Sequence, residues 1–172
     1  MERSLSFIIP VYNEEESVLE LYSQITEACA VNRYSDYEVV FIDDGSTDRS
    51  AEIIQSLIAD HPDANITLIR FRTNFGKAAA LQAGFEHAEG DVAITMDADL
   101  QDDPHEFPKL LAEMDNGYDM VSGWKKVRHD PLEKRLPSKL FNAVTAKMSG
   151  WKIGKKKSKD TGGMINLELI NQ

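Results

Sequence analysis

Four short apolar runs alternate with stretches of helical periodicity between residues 5 and 95, and this alternation limits the fold more than any other feature. The runs are Leu5–Tyr12, Glu38–Asp43, Ile66–Phe71 and Val92–Thr95. Strands that are apolar at nearly every position are typical of parallel sheets covered on both faces. Parallel neighbours need crossover connections, which are usually helices. The sequence therefore predicts an α/β fold, with a Rossmann-like, mostly parallel sheet and helices on both faces.

Four helices are predicted between the strands, the first of them from apolar residues that recur near helical spacing. They cover Val18–Cys29, a stretch around Ile53–Ile58, about Gly76–Ala88 and about Glu106–Asn116, and a short fifth strand follows at Asp119–Gly123. Ser46 or Thr47 is expected to cap the second helix, since short hydroxyl side chains accept hydrogen bonds from the first free backbone N–H groups.

An acidic segment, Met96–Pro104, follows the fourth strand directly. It has Asp97, Asp99 and Gln101 at alternate positions, and alternate residues of an extended segment point the same way. Hard cations such as Mg²⁺ prefer oxygen ligands and usually bind through one or two carboxylates plus a substrate's phosphates. The segment therefore predicts a metal-held diphosphate at the carboxyl edge of the sheet. The alternative is an acidic turn whose Asp residues cap a helix beginning near Pro104.

Polar clusters also follow the other three strands. They are Pro10–Glu14, Asp43–Asp48 and Arg72–Lys77. Each cluster alone has an ordinary explanation, because turns and helix caps are rich in such residues. In parallel α/β sheets, however, ligands bind beyond the carboxyl ends of the strands. Four polar clusters at one edge therefore favour a ligand site.

Charge is distributed unevenly along the chain. Residues 1–124 hold 7 Lys and Arg against 25 Asp and Glu (−18), whereas residues 125–172 hold 12 against 4 (+8). The basic end is expected to face phosphates or an anionic membrane surface, with a solvated tail as the alternative. An acidic body of this kind disfavours nucleic acid as a partner.

The sequence also limits the compartment. The single cysteine, Cys29, excludes an internal disulfide and fits a reducing environment. No signal peptide is expected, and no run approaches the roughly 20 apolar residues of a membrane span. The chain by itself is therefore expected to be soluble and cytoplasmic.

Together the motifs resemble those of family 2 glycosyltransferases, over about residues 5 to 150. The matching segments are Pro10–Glu14, Asp43–Asp48, Asn74–Lys77 and Met96–Pro104, in the same order and spacing. Within the family the chain is most similar to the polyprenol-phosphate (dolichyl- or undecaprenyl-phosphate) sugar transferases, whose basic segment resembles Ser122–Asp130 and Arg135–Ser138. The resemblance implies a glycosyltransferase A-type fold and metal-dependent, inverting transfer of a hexose. The donor would be a UDP- or GDP-sugar and the acceptor a polyprenyl phosphate.

The resemblance also implies a donor site. Pro10, Tyr12 and Glu14 would line the nucleoside pocket, and Asp43 or Asp44 would accept a hydrogen bond from the base. Lys77 is either a helix-surface lysine or a contact to the donor phosphates, and the two interpretations are about equally favoured.

The implied catalytic set is Asp97, Asp99, Arg128, Arg135 and Asp160. Asp97 would lie by the ribose and the metal, while Asp99 and Gln101 would ligate Mg²⁺ or Mn²⁺. The two arginines would neutralise the donor and acceptor phosphates, although Arg135 as a helix-surface charge is an alternative. Asp160 would lie on the acceptor side.

The resemblance weakens after residue 150. The predicted organisation is a nucleotide-sugar-binding catalytic domain, residues 1–150, and an atypical basic tail, residues 151–172. Because full-length members continue into membrane-associated helices, they are expected at the cytoplasmic face of the inner or plasma membrane, and a homo-oligomer is possible. Donor binding is expected to survive in this chain, while turnover is an open question.

Three other functions are kept as alternatives. The first is a nucleotide-sugar-binding module without turnover, and the second is a family 2 transferase with a polysaccharide acceptor. A nucleotidyltransferase is disfavoured, because no Gly-rich activation loop lies near the amino terminus.

Overall fold

The computed structural model describes residues 3–123, 153–156 and 168–171. The strands in chain order are β1 (Leu5–Val11), β2 (Tyr37–Asp43), β3 (Ile66–Arg70), β4 (Val92–Thr95), β5 (Met120–Gly123), β6 (Ile153–Lys156) and β7 (Glu168–Asn171). The helices are α1 (Val18–Val31), α2 (Ser50–Asp60), α3 (Lys77–His87) and α4 (Phe107–Met114), with one 3₁₀ turn (Pro104–Glu106) before α4. Within the described ranges, no helix is both long and apolar enough to cross a membrane.

The described strands form one seven-stranded sheet with the order β3-β2-β1-β4-β7-β5-β6. β1 pairs with β2 and β4, β2 with β3, and β5 with β6, all in parallel. Only β7, among these described strands, runs antiparallel to its neighbours, which are β4 and β5. The predicted α/β fold with a mostly parallel sheet is therefore confirmed.

β6 and β7 lie within residues 151–172, which the sequence analysis assigns to a basic tail. In the structure both segments pair with other strands of the sheet, and β7 joins β4 to β5. The division of the chain at residue 150 stays a prediction.

Alternate residues of each strand point to opposite faces of the sheet. Both faces are covered, since a hydrophobic core lies on each. Phe7 and Ile9 belong to a large core shared with α1, α2 and α4, in which the rings of Phe7 and Phe107 meet edge to face at 5.5 Å. Ile8 and Ile42 belong to a smaller core on the α3 side. α3 packs closely at Gly84, where a Cβ atom would lie 2.3 Å from Cγ2 of Ile8.

Cys29 lies in the large core as a free, fully buried thiol. Burial raises the pKa of this thiol to about 12, because the apolar surroundings disfavour the thiolate. A thiol in this state is an inert packing residue.

A buried polar network at the amino edge of the sheet fixes the start of β4. Ser6 Oγ donates to Glu38 Oε1 at 2.6 Å, and the same oxygen accepts from the backbone N–H of Glu89 at 2.6 Å. Gly90 N in turn donates to Ser6 Oγ at 2.8 Å. These bonds join the turn after α3 to β1 and β2, so they set the position of β4 and of the acidic segment that follows it.

The predicted cap of the second helix is wrong. α2 begins at Ser50, and its N-cap residue, Arg49, makes no side-chain cap bond. Asp48 Oδ1 instead accepts from the Ser50 backbone N–H at 3.0 Å. Ser46 and Thr47 are engaged with the loop after β1, which removes them from the helix end.

Candidate functional site

The loops at the carboxyl ends of β1 to β4 enclose a cleft of about 420 Å³. Predicted site residues from all four polar clusters line it: Pro10, Tyr12, Glu14, Asp44, Lys77, Asp97 and Asp99. A second cavity, of about 640 Å³, lies at the opposite edge, between the loops that precede β2 and β3. The predicted polar residues therefore converge on the carboxyl-edge cleft.

Asn13 ties the loop after β1 to the loop after β2. Its Oδ1 accepts from Thr47 N at 2.8 Å, Thr47 Oγ1 at 3.2 Å and Asp48 N at 3.3 Å, and its own N–H donates to Ser46 Oγ at 3.0 Å. The residue has a φ of 58°, a left-handed conformation in which Asn is enriched. These bonds hold its neighbours Tyr12 and Glu14 at the cleft.

Three further hydrogen bonds join the same loops. Glu14 N donates to Ser50 Oγ at 2.8 Å, Glu15 N to Asp48 Oδ2 at 3.1 Å, and Arg49 N to Glu15 Oε2 at 3.0 Å. Partial burial opposes ionisation of Asp48, but the bonds from Ser50 and Glu15 outweigh it and lower the pKa of Asp48. Asp48 is therefore held as a carboxylate that organises the loops. This role of Asn13 and Asp48 is not among the predicted ones, although the concentration of Asn, Asp and Ser in the two loops is a signal of it.

Asp43 and Asp44 differ in what they contact. Asp44 lines the cleft, and its two oxygens accept from Phe75 N at 2.7 Å and Gly76 N at 2.8 Å. Asp43 is fully buried and accepts from Ser46 N at 2.9 Å through Oδ1. Its Oδ2 makes no hydrogen bond to any described residue and lies 3.4 Å from Nε of Arg70 on the neighbouring strand. Only Asp44 of this pair, both of which are described, faces the cleft.

Gly45 allows the loop after β3 to approach the loop after β2. Its φ is 73°, and a Cβ atom here would lie 2.5 Å from the carbonyl carbon of Thr73 and 2.7 Å from Asn74 N. Any side chain at this position would meet backbone, which cannot move aside as a flexible side chain does. The close approach brings Phe75 and Gly76 within reach of the Asp44 carboxylate.

The acidic segment is a turn and not the extended segment that the sequence analysis assumed. Leu100 has a φ of 59°, and Asp99 Oδ1 accepts from Gln101 N at 3.1 Å. Asp97 and Asp99 line the cleft, whereas Gln101 is exposed and is not among the lining residues. The prediction that Gln101 points to the same place as Asp97 and Asp99 is therefore wrong. The role of Gln101 as a metal ligand stays a prediction.

The rest of the segment fits the alternative interpretation. Asp103 Oδ1 accepts from His105 N at 2.9 Å, so Asp103 caps the turn that begins at Pro104. Asp102 Oδ2 accepts from Asp97 N at 3.0 Å and holds the backbone beside the cleft. One segment thus contains both a helix cap and a pair of cleft-lining carboxylates.

The donor set fits a metal ion that shares its coordination with a ligand. Among the described residues, no three or more His, Cys, Asp or Glu side chains are grouped as a metal site built from protein alone would require. The two carboxylates that follow β4, Asp97 and Asp99, both line the cleft, and Asp97 Oδ1 already accepts from the cationic Nζ of Lys77. Mg²⁺ and Mn²⁺ are commonly held by one or two carboxylates and completed by phosphate and water oxygens.

Arg128, Arg135 and Asp160 lie outside the described residues. Their predicted roles with the phosphates and the acceptor stay predictions.

Comparison with known sequences decides the family. The family model described as "Glycosyl transferase family 2" matches residues 6–166. The chain belongs to glycosyltransferase family 2. Two similar curated proteins are both called undecaprenyl-phosphate 4-deoxy-4-formamido-L-arabinose transferase. The Shewanella sediminis protein is 46% identical over 146 residues, and that of Pseudomonas fluorescens strain Pf-5 is 42% identical over 146 residues.

The resemblance to polyprenol-phosphate sugar transferases is thus confirmed at the level of the family and its subgroup. Both alignments cover 85% of this chain but only 44% and 42% of the relatives. The chain therefore spans less than half the length of these family 2 members.

Two solved structures share the fold. A mannosyltransferase from Pyrobaculum calidifontis, in complex with GDP-Man and Mn²⁺, has a TM-score of 0.66 at 23% identity, covering 99% of this chain and 45% of that one. S. aureus TarS 1–349 in complex with UDP has a TM-score of 0.56 at 22% identity, covering 75% of this chain and 38% of that one. The predicted glycosyltransferase A-type fold of this family 2 member is confirmed.

Proposed function

We propose that this chain contains the donor-binding half of a metal-dependent, inverting glycosyltransferase. It would transfer a sugar from a UDP- or GDP-sugar to a polyprenyl phosphate. The observation that carries the proposal is the carboxyl-edge cleft, where Asp97 and Asp99 lie with Lys77 and Asp44. The acceptor follows from the relatives, which are named for transfer to undecaprenyl phosphate. Their sugar is a substituted arabinose, a pentose, so pentose donors are tested beside the hexoses that the sequence analysis expects.

Base recognition is assigned to Asp44. Of Asp43 and Asp44, it is the one that lines the cleft, and a carboxylate oxygen that accepts one backbone N–H retains a second lone pair. That lone pair suits the imide N–H of uracil or the N1–H of guanine. Tyr12, 47% exposed at the same cleft, supplies an aromatic surface beside the base.

The diphosphate is assigned to the part of the cleft that is formed by the start of α3. Gly76 is the N-cap residue of α3, Lys77 is its first residue, and both line the cleft. Helix N-termini favour phosphate because their free N–H groups and the helix dipole both attract negative charge. A divalent ion, when bound, would neutralise charge on the leaving diphosphate, and Asp97 and Asp99 would hold it.

The proposed reaction needs little proton transfer. An acceptor phosphate is already ionised at neutral pH, so its oxygen attacks the anomeric carbon without a strong general base. The bond from that carbon to the donor's phosphate oxygen breaks, the nucleoside diphosphate leaves with the electron pair, and the configuration inverts. Arg128 and Arg135 would offset the repulsion between the two anions, and Asp160 would contact the acceptor side.

The experiment that tests this function is a calorimetric titration. UDP, GDP and their sugar conjugates are titrated into the folded protein with Mn²⁺ and again with EDTA. Metal-dependent binding of one nucleotide supports the donor half of the proposal and identifies the base. Absence of binding by every diphosphate would contradict it.

The acceptor is tested separately. Transfer is assayed to undecaprenyl phosphate and to a polysaccharide, with this chain and with a longer one that includes the rest of a relative's length. Transfer to lipid by the longer chain alone would identify this chain as a binding module without turnover. Transfer to polysaccharide alone would replace the proposed acceptor.

Asp44→Asn is expected to weaken nucleotide binding by about tenfold or more, since hydrogen bonds to charged groups contribute about 1.5–3 kcal/mol. The matched control is Asp43→Asn, which removes the same charge at the neighbouring position. Because Asp43 is buried beside Arg70, this variant is expected to lower the melting temperature while nucleotide affinity changes little. Calorimetry and thermal unfolding measure the two effects. A loss of affinity in Asp43→Asn alone would move the base contact to Asp43.

A further inference from the structure

Lys77 directly contacts one carboxylate of the Asp97 and Asp99 pair. Its Nζ donates to Asp97 Oδ1, and both residues line the cleft. The Lys77 side chain is 57% exposed and that of Asp97 is 30% exposed, so the contact is open to solvent on one side. The two residues are 20 positions apart, at the start of α3 and after β4.

The backbone on each side of this contact is held in place. On the Lys77 side, Asp44 accepts from the N–H groups of Phe75 and Gly76, which fixes the turn into α3. On the other side, Asp102 accepts from the N–H of Asp97. The ion pair therefore joins two fixed segments across the cleft, unlike a chance pairing of two mobile surface side chains.

We propose that Lys77 is an internal counter-ion that makes divalent-metal binding depend on the bound nucleotide. Without a ligand, its ammonium group occupies Asp97 Oδ1 and repels a second cation from the same oxygen. Asp99 alone then offers one carboxylate, which is a weak site for a hard dication. This inference rests on the proposed function, because it concerns the same cleft and the same diphosphate ligand.

A nucleoside diphosphate changes the balance of charge. Its oxygens are alternative acceptors for the Lys77 ammonium group, so Asp97 is released, and they complete the coordination that two carboxylates leave open. Binding of metal and nucleotide is then reciprocal, since each raises the affinity for the other by the same factor. Lys77 would thus prevent the acidic cleft from holding a metal ion in an unproductive complex.

The test measures Mn²⁺ affinity by electron paramagnetic resonance of free Mn²⁺, with and without UDP and GDP. The variants are Lys77→Gln, Lys77→Arg and, as a control for charge, Arg33→Gln. Arg33 is exposed in the turn between α1 and β2, at the edge of the sheet opposite the cleft. Both Gln variants remove one positive charge from the chain, and only one of them changes the cleft.

Without nucleotide, Lys77→Gln is expected to bind Mn²⁺ about tenfold more tightly than the wild type. In this variant Mn²⁺ does not have to break the ion pair to Asp97, and it is not repelled by a neighbouring cation. Lys77→Arg and Arg33→Gln should match the wild type. Added nucleotide should tighten Mn²⁺ binding more in the wild type than in Lys77→Gln. In the double variant Lys77→Gln/Asp97→Asn, the gain should disappear, because the released oxygen has lost its charge.

Three results would overturn the proposal: unchanged Mn²⁺ affinity in Lys77→Gln, an equal gain in Arg33→Gln, or a gain that persists in the double variant. If the wild type nevertheless binds Mn²⁺ with nucleotide, the proposed function stands and only the counter-ion role is lost. If no variant binds Mn²⁺ even with nucleotide, the metal-dependent function and the counter-ion role are both wrong.

Discussion

Asp99→Asn is expected to reduce nucleotide binding in Mn²⁺ to the level measured in EDTA. Asp99 is one of the two cleft-lining carboxylates that follow β4, and it is exposed. Asparagine retains an oxygen that can accept from Gln101 N but removes the charge that a dication requires. Loss of a residue that orients a metal ligand lowers metal affinity about 10–100-fold. Loss of a direct ligand should lower metal affinity at least as much. Calorimetry with Mn²⁺ and with EDTA measures the difference.

The control for this variant is Asp63→Asn. Asp63 lies at the cavity on the opposite edge of the sheet and carries the same charge change. Asp99→Asn and Asp63→Asn should both unfold at the wild-type temperature, and only the first should lose metal-dependent affinity. Equal nucleotide affinity in all three proteins would remove Asp99 from the metal site.

Gly45→Ala is expected to destabilise the fold by about 2–5 kcal/mol. The left-handed conformation costs an ordinary residue about 1–2 kcal/mol, and overpacking adds about 1–3 kcal/mol. The overpacking arises because the new Cβ would lie 2.5 Å from backbone carbon of Thr73. Urea unfolding measures the loss. Nucleotide affinity should fall too, since displacement of this loop moves Phe75 and Gly76 away from Asp44.

Gly117→Ala separates the two causes. Gly117 has a φ of 85°, but a Cβ atom there would meet nothing within 4 Å. It should therefore lose only the conformational part, about 1–2 kcal/mol, and nucleotide affinity should not change. If Gly45→Ala is no less stable than Gly117→Ala, the close approach of the two loops is not needed for the fold.

The fold of the first 95 residues could be predicted because the strands are runs of mostly apolar residues and α1 and α2 each have apolar residues at helical spacing. β7 was not predicted. Its sequence, Glu168–Asn171, contains only two apolar residues, and its antiparallel place between β4 and β5 depends on partners far away in the chain. The predicted cap of α2 was wrong for a similar reason. Ser46 and Thr47 form hydrogen bonds to Asn13, which lies 33 and 34 positions earlier in the chain.

For the site, residue types could be predicted more readily than the geometry. The sequence placed carboxylates after β2 and β4, and three of them, Asp44, Asp97 and Asp99, line the cleft. The sequence could not show which of Asp43 and Asp44 faces the cleft, because that depends on the direction in which the chain turns after β2. It also assumed an extended path through Gln101, whereas the positive φ of Leu100 redirects the backbone. Turn conformations of this kind are set by tertiary contacts that a single sequence does not display.

The hydrogen bonds between the loop after β1 and the loop after β2 have a consequence for engineering. Asn13 and Glu15 on one loop are matched to Thr47, Asp48 and Arg49 on the other. A chimera that imports only one of these loops from another family member would separate each donor from its acceptor and leave backbone N–H groups without partners, at about 1–3 kcal/mol for each one that is buried. Base preference should therefore be transplanted by exchanging both loops as a single cassette.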